Sequence, residues 1–172
     1  MYDIIVIGGG PAGLSAAINA KVRNKSVLIF TNDHRQSNLY RTPRIDNYPG
    51  RMGVSGADIL EELFEHAKQL GVEIIEGRVL NVMPMEHLFH VNAGSKVETA
   101  KRIILAIGTA SGSKLPGEAG MIGRGVNYCA TCDGMFYRNG KRVTVVGKAA
   151  DAVDEANFLN EIGCKVTFVS SK

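Results

Sequence analysis

Apolar positions along this chain fall into short runs separated by glycine-rich turns. Residues 3–7 are almost wholly apolar, residues 14–22 are rich in alanine and helix formers, and residues 26–30 form a second apolar run. Short apolar runs bounded by turn residues predict strands, so the chain opens as strand, glycine turn, helix, strand. Over residues 32–53 the periodicity is lost and turn residues accumulate, among them Pro43, Asn47, Pro49 and Gly50. An ordered loop of that length is expected to be functional. Ser55 then caps a predicted helix over residues 55–70. Ile59, Leu60, Leu63, Phe64, Ala67 and Leu70 share one face of it, read as core rather than partner groove, and Gly71 ends it. Residues 72–75, 79–83, 88–91 and 101–107 read as short strands, with Ala93-Gly94 as a hairpin turn.

Residues 111–125 are rich in glycine and serine and mark a domain boundary. Beyond it, residues 142–146 predict a strand, 151–162 a helix and 165–169 another strand. This unit repeats the first. A constant offset carries Gly8, Gly10 and Gly13 onto Gly147, Ala149 and Ala152, and Phe30 onto Val169. The expected fold class is therefore α/β, with two Rossmann-like nucleotide-binding units.

Composition narrows the picture without deciding it. A 45% hydrophobic and 22% charged chain is ordinary for a soluble globular protein. At 172 residues it is long enough to bury a real core and to hold one domain, or one and part of another. The net charge of +3 is scattered, with no dense run of Lys and Arg. That gives nucleic-acid binding little support and suits an acidic protein partner instead. Three cysteines, an odd number, argue against a secreted disulfide framework. The first strand leaves no room for a signal peptide, and no apolar run is long enough to span a membrane, so a reducing cytoplasm is expected.

Two motifs carry chemistry. Gly8, Gly10 and Gly13 match G-x-G-x-x-G, with Pro11 and Ala12 inside it, between a strand and a helix as that motif requires. Gly8 allows the tight turn, Gly10 lets backbone approach a pyrophosphate, and Gly13 lets helix pack on sheet. The helix N-terminus then receives the phosphate charge. The acid that ordinarily closes the second strand to bind a ribose is missing, because Thr31 and Asn32 follow Phe30 and Asp33 comes later. FAD is favoured over NAD on that ground. In the second unit Ala149 adds a methyl where a pyrophosphate would need bare backbone. Ser170-Ser171-Lys172 offers neither a ribose acid nor an arginine cluster, which argues against a nicotinamide site.

The second motif is Cys129-Ala130-Thr131-Cys132-Asp133-Gly134. Two thiols at this spacing close into a disulfide and reopen, and the reactive one often has a lowered pKa. The acid that follows can supply or accept the proton. The competing reading is half a zinc site, but a structural zinc needs about four ligands. The one further cysteine is Cys164, and no histidine lies nearby in sequence. No metal site is expected, and His87 and His90 are read as solvated.

The glycine motif, Asn47-Tyr48-Pro49-Gly50, Ala106-Ile107-Gly108, Gly123-Arg124-Gly125-Val126 and the C-A-T-C-D stretch occur in that order. Together they resemble the low-molecular-weight thioredoxin reductase family over essentially the whole chain. The resemblance implies an FAD-binding domain with a small β-meander at residues 1–117. It implies an incomplete, NADPH-domain-like unit bearing the cysteines at 118–172. Gly8, Gly10, Pro11, Ala12 and Gly13 would hold the FAD pyrophosphate, with further contacts from Thr31, Asn47, Val79 and Gly108. Cys132 would exchange electrons with the flavin, Cys129 with the disulfide of a thioredoxin-like protein, and Asp133 would manage the protons. Gln36-Ser37-Asn38-Leu39, Gly147 to Ala152 and Ser170-Ser171-Lys172 depart from the family pattern. These changes resemble the ferredoxin-dependent flavin thioredoxin reductases of anaerobic bacteria, which do not use NADPH. The donor implied is ferredoxin, with NADPH the alternative. Family members continue well past this length, so the chain reads as a fragment of a homodimeric enzyme. A non-catalytic redox sensor or binding module is the alternative of another class.

Overall fold

The computed structural model describes residues 1–108, 115–122, 124–148 and 150–170. The chain divides into two compact units, Met1–Thr42 with Ser55–Ser113, and Pro43–Val54 with Lys114–Lys172.

The first unit is built on one six-stranded sheet. Strands β1 (Tyr2–Ile7), β2 (Val27–Thr31), β3 (Glu73–Glu76), β4 (Asn81–Met85), β5 (Leu88–Asn92) and β6 (Val97–Leu105) lie in the order β3-β2-β1-β6-β5-β4. β1 pairs in parallel with both β2 and β6, β2 with β3, while β4, β5 and β6 form an antiparallel meander. Successive side chains in a strand alternate between faces. Val6 and Ile29 accordingly join Leu14, Ala17, Leu60 and Phe64 in a core beneath helices α1 (Pro11–Val22) and α3 (Gly56–Gln69). Ile5, Ile7, Leu28 and Phe30 meet Val91 and Ala100 in a separate cluster. The whole of β2 is buried, which is why that run reads as continuously apolar.

Ser55 caps α3 as expected. Its hydroxyl accepts from the Asp58 N–H, and the Asp58 carboxylate reaches back to the Ser55 N–H, a complete capping box. Leu70 is the C-cap rather than a core residue and is 37% exposed.

Several boundaries differ from expectation. β6 begins at Val97, four residues early, because Val97 and Glu98 pair with β5 as the return arm of the hairpin at Ala93-Gly94. β4 starts at Asn81 and contains Pro84, which an edge strand tolerates since its N–H side has no partner to lose. The loop after β2 holds a 3₁₀ turn (His34–Gln36) and the short helix α2 (Asn38–Arg41), capped by the side chains of Asp33 and Ser37. Elements this short depend on capping bonds and carry no periodicity to read.

In the second unit, β7 (Arg142–Gly147) and β8 (Lys165–Ser170) pair in parallel and are linked by α5 (Ala150–Glu161). Val145, Leu159 and Cys164 form its core. A Cβ on Gly147 would lie 2.4 Å from that of Ala152, so the bare glycine leaves room for the Ala152 methyl where the strand turns into the helix. Ala149, Gly123, residues 111–114, Ser171 and Lys172, which carry part of the boundary and nicotinamide expectations, lie outside the described residues. Among the described residues no helix is long and apolar enough to cross a membrane.

Candidate functional site: a glycine turn and a disulfide

The glycine turn sits at the carboxyl end of β1. Gly8 donates to the Phe30 carbonyl and adopts φ +116°, where a Cβ would strike the Ala106 carbonyl oxygen at 2.1 Å. Gly13, in the first turn of α1, lies so close to the strand that a Cβ would stand 1.9 Å from the Gly8 oxygen. Gly10 is different: its Cβ would meet nothing within 4 Å. Gly10 is the N-cap of α1, and no side chain caps that end. Pro11 at the first helical position has no N–H, so Ala12 and Gly13 supply the next first-turn N–H groups of this uncapped end. A bare backbone wall at the uncapped start of a twelve-residue helix fits the pyrophosphate of a dinucleotide.

Thr31 adjoins this turn. Its hydroxyl donates to the Asn32 carbonyl at 2.9 Å, and a Cβ on Gly9 would touch it. Asp33 accepts from the Arg35 N–H and the Gln36 amide, so its carboxylate caps the 3₁₀ turn. Gly108, at φ +69°, follows β6 and is exposed. Val79 is partly buried and packs against the cluster containing Phe30 and Val91. The fold thus brings the glycine turn and Thr31 together, while Val79 belongs to the apolar packing.

In the second unit, Cys129 and Cys132 are joined in a disulfide with their Cα atoms 5.3 Å apart. Cys132 and Asp133 lie on the one-turn helix α4 (Ala130–Asp133), with Cys129 as its N-cap. The Cys132 N–H points at Cys129 Sγ, 3.2 Å away, and the Thr131 hydroxyl lies 3.4 Å from the same sulfur. Gly134 lets this turn pack on α5, where a Cβ would press on Leu159 and Ile162 at 3.0 Å. Asp133 is partly buried, and loss of solvent raises its carboxyl pKa above the ordinary range. Asn47 also belongs to this unit, and its amide donates to the Thr131 carbonyl at 3.3 Å. Cys164 is buried and unbridged, its thiol directed at the Tyr137 carbonyl.

Sequence reasoning missed the residues that hold the disulfide's flanks. Glu118, only 6% exposed, accepts from the Leu115 N–H and from the phenol of Tyr128, the neighbour of Cys129. Asn127 donates to the phenol oxygen of Tyr137. An acid in a glycine-rich stretch looks solvated, and no local signal distinguishes it.

Residues 2–172 match the family model described as pyridine nucleotide-disulphide oxidoreductase, and the chain belongs to that family. Within it, the chain is similar to thioredoxin reductases. It is 39% identical over 171 residues to the thioredoxin reductase of Bacillus subtilis, covering 98% of this chain and 54% of that protein. The crystal structure of thioredoxin reductase from Streptococcus pyogenes matches with a TM-score of 0.86 at 36% identity, covering 98% of this chain and 55% of that one. A ferredoxin-flavin thioredoxin reductase from Clostridium acetobutylicum is 42% identical with a TM-score of 0.60, covering 99% and 60%. The chain spans about half the length of the curated relatives it matches.

Proposed function

We propose that this chain carries the redox centre of a flavin-dependent thioredoxin-disulfide reductase fed by ferredoxin. The observation behind the reading is the Cys129–Cys132 disulfide with the desolvated carboxyl of Asp133 directly beside it. Opening that disulfide takes two electrons and two protons and yields two thiols. In the forward direction the Cys129 thiolate attacks one sulfur of a thioredoxin-like disulfide, and the displaced thiolate takes a proton. Asp133, its carboxyl biased toward the protonated form by burial, would give it. Cys132 then attacks Cys129, releasing the second thiol and closing the disulfide again.

The two strand-helix-strand units are read as Rossmann-like, the first holding FAD and the second derived from a nicotinamide domain. FAD bound at the glycine turn would pass electron pairs from the donor to the disulfide. Gly8, Gly10 and Gly13 would give it backbone to lie against, and Ala12 and Gly13 would donate to its pyrophosphate. Thr31, Asn47, Val79 and Gly108 would add further contacts, as the family resemblance implies. A homodimer in a reducing cytoplasm completes the proposal.

The choice of ferredoxin rests on Ala149 and the Ser170-Ser171-Lys172 ending, and on the likeness to a protein described as a ferredoxin-flavin enzyme. Energetics allow it: a ferredoxin couple near about −400 mV lies ~130 mV below thioredoxin's roughly −270 mV, on the order of 6 kcal/mol downhill for two electrons. Anaerobic titration of the complete flavoprotein tests the donor. Reduced ferredoxin should bleach the flavin band and generate thioredoxin thiols, and millimolar NADPH should do neither. Rapid bleaching by micromolar NADPH would return the protein to the NADPH-dependent reductases.

A further inference from the structure

Glu118 is a buried carboxylate in a stretch whose other described side chains are largely exposed. Burying a carboxylate is costly unless it is hydrogen-bonded, so its partners are the reason it can stay there. One oxygen accepts from the Leu115 N–H at 2.7 Å, closing the 3₁₀ turn Glu118–Gly120 onto its own start. The other accepts from the phenol of Tyr128, ten residues further on. Between them the backbone reverses, with Arg124 and Val126 both donating to the Met121 carbonyl. That hydrogen bond holds the phenolic proton, raising the Tyr128 pKa, with desolvation adding to the effect.

We propose that Glu118 is a positioning residue for the Cys129–Cys132 couple, acting through Tyr128 to hold Cys129 at the spacing the disulfide needs. The proposal rests on the reading of these cysteines as a redox couple. The closed form requires the two Cα atoms at 5.3 Å, whereas two thiols have no such requirement. A restraint on the residue before Cys129 therefore counts toward the disulfide, by reducing the freedom lost when the ring closes. Downstream, Tyr137 accepts from the Asn127 amide at its phenol and from the Cys164 thiol at its carbonyl, which holds the far flank, so the upstream anchor has something rigid to close against.

The test is the thiol–disulfide equilibrium of the full chain in mixtures of reduced and oxidised dithiothreitol, read by alkylation and mass. In that exchange the protein disulfide opens to two thiols as dithiothreitol closes to its cyclic disulfide. Tyr128→Phe keeps the ring at a site 39% exposed and removes only the hydroxyl. Tyr128→Phe and Glu118→Ala should each shift the equilibrium about tenfold toward the dithiol, which is about 30 mV for a two-electron couple. The double variant should shift no further than either single one, since both break the same link. Glu118→Gln, whose amide still pairs with the phenol, should stay within about threefold of wild type. A Tyr128→Phe couple within twofold of wild type, or one shifted toward the disulfide, overturns the proposal. So does a double variant whose shift is the product of the two single ones. A wild-type disulfide that dithiothreitol leaves closed overturns the redox reading itself, and the positioning role with it.

Discussion

Two alanine substitutions three positions apart, at Gly10 and Gly13, would separate folding from cofactor binding in the glycine turn. At Gly10 an added methyl meets no atom within 4 Å, and the backbone, at φ −79° and ψ −179°, is extended and open to any residue. Alanine there loses a little as an N-cap and gains a little by restricting the unfolded chain, each effect about 1 kcal/mol or less and of opposite sign. Stability should be unchanged. The methyl instead occupies the space where a pyrophosphate would approach. Losing one charge-assisted hydrogen bond costs about 1.5–3 kcal/mol, or roughly ten- to a hundredfold in affinity. At Gly13 the same methyl would lie 1.9 Å from the Gly8 oxygen, 3.0 Å from its carbon and 3.2 Å from Val6 Cγ1. Two of these are backbone atoms, so α1 must move away from β1, at a cost of about 1–3 kcal/mol or more. That predicts a melting temperature lower by roughly 4–8 °C per kcal/mol for a unit of this size. Flavin retention after gel filtration, followed by fluorescence titration of FAD into the apoprotein, measures the first effect, and thermal unfolding of the apoprotein the second. Gly10→Ala should melt like wild type and bind FAD at least tenfold more weakly. Wild-type FAD affinity in Gly10→Ala would refute the assignment of this turn to the pyrophosphate.

The remaining predictions concern the thiols and two carboxylates. Thiol titration of the native protein should find two more reactive groups after reduction than before, with buried Cys164 reacting only on unfolding; an unchanged count would remove the redox centre. Cys129→Ser should fail to reduce a thioredoxin-like disulfide, and Cys132→Ser should trap a mixed disulfide through Cys129; the opposite pattern would reverse the two roles. Because burial raises the Asp133 pKa, the folded state binds that proton more tightly than the unfolded chain. Its stabilising effect is full below pH ~4 and is lost as pH rises through the raised value, so Asp133→Asn should melt higher than wild type at neutral pH and equal to it in acid. Asp3 is the reverse case, held low by the hydrogen bonds from Lys101 and then Ser26. Asp3→Asn should melt lower than wild type at pH 7, with the gap closing below pH ~4; a gap independent of pH would mean the ion pair contributes nothing.

What the sequence determined by itself is local. Gly8, Gly10 and Gly13 between two apolar runs already require a strand, a tight turn and a helix, because only that arrangement uses glycine at all three positions. Ser55 and Asp58 write a helix start in four residues, and the spacing of Cys129 and Cys132 permits their disulfide, since each depends on neighbours in the chain. Tertiary structure decided which distant segments meet. Nothing in β1 announces that its second neighbour is β6, nearly a hundred residues later, because parallel pairing leaves the same apolar run whichever strand lies alongside. The same holds for the loop at 43–54, which reads as an ordered loop within the first domain yet groups with the second unit, where Asn47 donates to the Thr131 carbonyl across 84 positions. Glu118 makes the point most sharply. In sequence it is one charge among many, and only the backbone reversal that brings Tyr128 to it turns it into a buried anchor beside Cys129. A hydrogen bond between side chains is set by where the fold carries them, and periodicity along the chain holds no record of that.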